Sequence, residues 1–215
     1  MRRLAIILAA LAIPVCARPQ PAPPTALQVA AARAEADSIL AKTGTGDLFE
    51  NITDGEIPQL RHRASGMVCF FNADGVGNSI FVYPNGPRGD DVSCGRNIAG
   101  AAITQYATRA PRPVTATQLL ASVLSEIRSV HGELVPDRGE WRNMSAPTAP
   151  EILRARFTYA KGDPQVFSRA AAAVAGQWLI SQRLTAPRDK ARDADFIAEA
   201  TMLAATLKVA EDASK

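Results

Sequence analysis

Two adjacent carboxylates, Asp90 and Asp91, two histidines and a pair of downstream cysteines are the side chains with enough chemistry to start from. Neighbouring acids in a cleft can share general acid–base work or hold a cation. Within P-N-G-P-R-G-D-D, however, adjacent acids also simply face water, so Asp90 and Asp91 stand as a candidate acidic site only. His62 and His131 belong to no H-E-x-x-H or C-x-x-C pattern and read as surface or loop histidines. Neither a G-x-S-x-G elbow nor an S-x-x-K pair is present, so no catalytic residue, metal ligand or cofactor is assigned. N-A-D-G-V-G-N, Asn72 to Asn78, starts like a calcium loop but puts Val76 and Tyr83 where oxygen ligands belong, and reads as a turn.

Alternation along two strand-like segments yields the binding candidates. Ile103, Gln105 and Ala107 share one side, as do Ile180, Gln182 and Leu184, which turns both glutamines toward apolar neighbours. A buried amide needs partners, so Gln105 and Gln182 either satisfy backbone groups or line a polar spot in a cleft. Tyr106, Arg109 and Arg183 are expected on the opposite side, as an aromatic and cationic group for a partner or an acidic ligand. Trp141 sits between prolines and reads as a local plug or an anchor.

The start of the chain bears on where this chemistry takes place. Arg2 and Arg3 precede an apolar run from Leu4 to Val15, and Val15-Cys16-Ala17 offers small residues for cleavage, as in a secretory signal peptide spanning residues 1–17. Cys16 leaves a lipoprotein alternative open, with the proline-rich stretch after it as a tether, although Val15 fits a lipobox poorly. Membrane association is expected only if Cys16 is lipidated. The formal charge of +3 includes Arg2 and Arg3 and is +1 without them, and basic residues are interleaved with acids. Nucleic-acid binding therefore has no electrostatic footprint. In an oxidising compartment Cys69 and Cys94 are expected to form a disulfide.

The elements that must position these groups read as one unit used twice. Phe70 to Gly75 (F-F-N-A-D-G) is echoed by Phe157 to Gly162 (F-T-Y-A-K-G), and T-Q-Y-A-T-R-A-P-R from Thr104 by S-Q-R-L-T-A-P-R from Ser181. A matched amphipathic run follows each. The expected fold is α+β: two tandem β-β-β-α units forming a mainly antiparallel sheet of about six strands with helices packed on it, plus an N-terminal helix over Ala26 to Lys42. In the first unit Met67 to Phe71 is expected to pair with Ser79 to Tyr83, and a loop leads to Cys94. Residues 18–62 are a proline-rich tether, helix and lead-in, 63–132 the first unit, 133–150 a linker and 151–215 the second unit, with Thr115 or Thr117 and Asp193 as helix N-caps.

From Arg154 to Ala210, a strand pair, then W-L-I-S-Q-R-L-T-A-P, then a helix resembles the compact layout of PsbP and Mog1-like domains. The first unit, with S-G-M-V-C-F-F and D-D-V-S-C-G, is similar to uncharacterised secreted proteins of Gram-negative bacteria. That resemblance implies a periplasmic or envelope setting and transfers no catalytic residue. The expected function is a non-enzymatic protein that binds another envelope protein or a small ligand. A periplasmic hydrolase using acidic residues in a cleft and a lipid-anchored structural factor are the alternatives.

Overall fold

The computed structural model describes residues 22–84, 86–98, 100–159 and 166–214. The expected signal peptide, Cys16 and the K-G-D-P turn lie outside the described residues. Among the described residues there are three α-helices and ten strands, gathered into a three-stranded and a seven-stranded antiparallel sheet, an α+β fold.

Helix α1, Ala26–Thr43, starts at Thr25, whose side chain accepts from the Gln28 amide while Gln28 reaches back in a capping box. It stops at Gly44, which takes a left-handed φ of 62°. Strands β1 (Phe49–Asn51), β2 (Gln59–His62) and β3 (Val68–Phe70) follow and form the small sheet in that order. Here the pairing corrects the sequence reading. Met67 to Phe71 does not join Ser79 to Tyr83; β3 pairs with β2, Leu60 facing Cys69. The competing turn is local: Gly66, at φ 77°, donates to the His62 carbonyl (2.8 Å), and Ser65 Oγ accepts from the Met67 amide (3.1 Å). The longer N-A-D-G-V-G-N loop is instead tied across its own neck, where Asn78 Oδ1 accepts from the Asn72 amide and Asn78 Nδ2 donates to the Asn72 carbonyl, both at 2.8 Å.

The large sheet contains β4 (Ser79–Val82), β5 (Asp91–Ile98), β6 (Ala101–Arg109), β7 (Leu134–Pro136), β8 (Leu153–Tyr159), β9 (Val166–Ala175) and β10 (Trp178–Pro187), in the order β4-β5-β6-β10-β9-β8-β7. Cys94 therefore lies inside a strand and not on a looped excursion, and the expected linker contributes the edge strand β7. Helix α2, Ala116–His131, starts at the Thr115 capping box with Gln118. After β10, a short 3-10 turn leads into α3, Ala191–Ala213, whose N-cap is Lys190; Asp193 falls in its first turn instead of capping it.

At the centre β6 runs against β10 with Gln105 directly opposite Gln182, so the two echoed segments are neighbours. Chain order reads β4-β5-β6-α2 and, after β7, β8-β9-β10-α3. The helices nevertheless lie on opposite faces. α2 sets Val123 and Ile127 against Phe157 and Ala170, whereas Met202 and Ala205 of α3 share a core with Ala171, Ala173 and Ile180. Alternating residues of β9 thus meet different helices, and its run of alanines from Ala170 to Ala173 is buried on both sides. Phe49, Leu60, Met67 and Phe71 of the N-terminal module extend the α3-side core over Ile80 and Val92. The Cys69–Cys94 disulfide, with Cα atoms 6.1 Å apart, fastens β3 of that module to β5. Among the described residues the α2 side has no such second cover over β4 to β6.

Candidate functional site

That uneven cover leaves a groove of about 470 Å³ between α2 and the strands. Its floor comes from alternate residues of β5, β6 and β10: Asp91, Tyr106 with Thr108, and Ser181 with Arg183. Leu119, Ser122, Val123 and Glu126 of α2 form the facing wall. Tyr83, just beyond β4, stacks on Tyr106 with ring centroids 6.4 Å apart and planes 28° from parallel. The Arg183 guanidinium lies 5.5 Å from the Tyr106 centroid and donates through Nη2 to Glu126 Oε2. Its Nε is buried and has no hydrogen-bond partner among the described residues. Thr108 Oγ1 donates to Asp91 Oδ1 at 2.9 Å, and the Tyr83 and Ser93 hydroxyls are 3.2 Å apart.

Burial pushes the Tyr106 phenol above its ordinary range, against the pull of Arg183, so the hydroxyl stays protonated at neutral pH. An aromatic plate, a guanidinium, carboxylates and hydroxyls converge here, a set suited to recognising a small polar molecule. Among the described residues that line the groove, Asp91 and Glu126 supply carboxylates and Ser122 and Ser181 hydroxyls.

The structure distributes the other expected site residues differently. Arg109 is not beside Tyr106. An odd-numbered residue of β6, it shares the α3 face with Gln105 and Ala107, donates from Nε to Asp90 Oδ1 (2.7 Å) and lies 4.7 Å over the Trp178 ring. Asp90 and Asp91 accordingly do not act as a pair: Asp90 serves Arg109 on one face and Asp91 the groove on the other. Gln182 is wholly buried; its Oε1 accepts from Arg169 Nη1 (2.6 Å) and its Nε2 donates to Thr201 Oγ1 (3.1 Å). Gln105 donates to the Thr201 carbonyl at 3.5 Å. Trp141 stacks on Phe167 at 4.6 Å and donates to Asp137, a local plug.

His62 is a further correction, because it is fully buried, its ring lying between Phe49 and Trp178 at 5.0 and 5.7 Å. Nδ1 shares a hydrogen bond with Ser65 Oγ at 2.8 Å, and Nε2 has no partner among the described residues. Burial, followed by the Arg109 charge, pushes its pKa down to about 4 against the opposing pull of Asp90, which keeps the ring neutral at pH 7.

A charged cluster under α3 escaped the sequence reading altogether. Arg154 and Arg156 of β8 and Arg169 of β9 converge on Asp195 and Glu199, one turn apart on α3. Arg156 makes a two-pronged contact with Asp195 at 2.9 Å on both oxygens, and Arg169 Nη2 reaches Glu199 Oε1 at 2.8 Å. Met144 joins through its backbone, its amide donating to Glu199 and its carbonyl accepting from Arg154. Burial alone would raise the Glu199 pKa, but the Arg154 hydrogen bond and the Arg169 charge outweigh it and hold the carboxyl below its usual range. Burial pulls Arg169 down to about 10, still a cation at neutral pH. The period-two placement of Arg154 and Arg156 and the four-residue spacing of Asp195 and Glu199 were the available signals.

Neither a protein-family model nor a curated protein matches the chain.

Proposed function

We propose that the protein is an exported, non-enzymatic binding protein of the periplasm or cell envelope, and that it takes a small ligand into the groove between α2 and the sheet. One observation carries this reading: the stacked Tyr83–Tyr106 pair and Arg183, whose side chain stays 36% exposed, face a half-open space of ligand size. Export is supported by the basic and apolar start of the chain and by the disulfide, a bond that persists in oxidising compartments. The order β4-β5-β6 against β8-β9-β10 about Gln105 and Gln182 supports duplication of the three strands alone, because a two-fold through that antiparallel pair would put both helices on one face and α2 and α3 lie on opposite faces. A PsbP- or Mog1-like layout for 154–210 is part of the same proposal and names no ligand.

The hydrolase reading loses its motivating pair, since Asp90 is engaged by Arg109. Affinity capture of small molecules from envelope extract, read by mass spectrometry, tests the proposal. The wild-type chain is expected to retain a ligand that Tyr106→Ala and Arg183→Ala release while keeping native circular dichroism. Equal retention by all three proteins sinks the groove assignment. The mass of the mature N-terminus decides between cleavage after Ala17 and a lipid on Cys16.

A further inference from the structure

Arg96 is the one arginine at least nine-tenths buried for which no described residue supplies a counter-charge. It lies on β5 opposite Ile103, on the same face as Val92 and Cys94, and is 7% exposed. Arg169, only 1% exposed, has Asp195 and Glu199. Among the described residues Arg96 has neither an ion pair nor a side-chain hydrogen bond, and it lines a pocket of about 410 Å³ where the N-A-D-G turn meets the end of β5. Desolvation lowers its pKa, and no neighbouring acid pulls the other way. Enclosing a cation without a partner costs several kcal/mol, an expense that folds tolerate where the charge has work to do.

We propose that Arg96 anchors a second binding site, independent of the groove, which takes the carboxylate of a small molecule with an apolar body. A planar guanidinium matches a carboxylate through two parallel N–H···O bonds. Phe71, Ile57 and Ile98 line the same pocket and suit a short hydrocarbon portion. Asp74 and Glu56 also border it, which disfavours dianions such as phosphate and adds a place for an ammonium group. A simple monocarboxylate and an α-amino acid share the chemistry that Arg96 reads.

The test uses the mature chain with isobutyrate, L-valine and inorganic phosphate as probes, followed by the side-chain Nε–H resonances of the arginines and by the thermal midpoint. Isobutyrate or L-valine at tens of millimolar is expected to move one Nε–H signal, absent in Arg96→Lys, and to raise the midpoint by a few degrees. A stronger response to L-valine assigns the acidic rim to an ammonium; a stronger response to isobutyrate assigns the site to simple acids, and either supports the proposal. Arg96→Gln is expected to weaken binding by at least about tenfold, while Tyr106→Ala leaves it unchanged. Arg96→Gln removes an unpaired cation, so it is expected to unfold no earlier than wild type, which keeps its binding readout interpretable. No response to either carboxylate, an equal response in Arg96→Gln, or tighter binding of phosphate overturns the proposal.

Discussion

Arg169 and Arg183 are close neighbours across the β9–β10 ladder, Arg169 facing Leu184 and Arg183 facing Ala170, yet they look out of opposite faces of the sheet. On the α3 side, Arg169 has no exposed side-chain surface and meets two carboxylates and a glutamine. On the α2 side, Arg183 keeps 36% of its side chain exposed, meets Glu126 and leaves Nε unpartnered. A charge that is enclosed and matched holds elements in place; one held at a half-open aromatic wall is still available to a ligand. The contrast lies in the cover: α3 and the N-terminal module close one face from β9 to β4, while α2 covers only β8 to β10 of the other.

The sharpest way to break this comparison is Glu199→Ala, which leaves Arg154, Arg156 and Arg169 enclosed without their shared acid. Stability to urea is expected to fall by about 3–5 kcal/mol; a change below about 1 kcal/mol would mean that the cluster is no more than surface decoration. Replacing both Cys69 and Cys94 by serine is next, expected to cost roughly 3 kcal/mol in the chain-entropy picture of loop closure. Hydrogen exchange should rise first in the N-terminal sheet, and uniform loosening would contradict its role as a fastened cover.

The pH dependence sharpens the same picture. His62 has a folded pKa of about 4, below its ordinary 6.5, so the unfolded chain binds more protons between those values. Its contribution is complete above pH 6.5 and fades as pH falls toward 4, by up to about 3 kcal/mol. In His62→Phe that slope should flatten; an unchanged slope would assign it to other groups. Glu199, depressed in the folded state, gives its contribution above the ordinary carboxylate range and loses it at lower pH still. The smallest effects are expected at the open face, where Tyr106→Ala and Arg183→Ala should each change stability by no more than about 1 kcal/mol while abolishing ligand capture.

Features governed by short-range rules were legible in the sequence. Period-two alternation placed Gln105 and Gln182 toward the core side, the start of α2 fell at Thr115, one of the two threonines expected to cap it, and Cys69 and Cys94 form the disulfide expected of them. Arg109 was misplaced although the same parity rule assigns it to the Gln105 side. The partner of β3 was not legible, because two turns competed and the shorter one, at Ser65 and Gly66, won. The cluster under α3 was hidden for a different reason. Its members come from two strands and a helix 26–45 residues apart, and only the register that sets Arg156 against Arg169 brings their charges together. Tyr83 was missed in the same way, since its ring meets Tyr106 only once β4 is laid on β5.

The β6–β10 seam dictates when this molecule can exist during its own synthesis. Ala101–Arg109 must wait for Trp178–Pro187 before the two halves of the sheet join, and α2 has no seat until β8 and β9 have emerged. Most stabilising contacts therefore arrive late and span long stretches of chain, the regime of slow folding. A chain still missing Trp178–Pro187 leaves the β6 edge unpaired, the kind of open edge that makes a folding intermediate prone to aggregate.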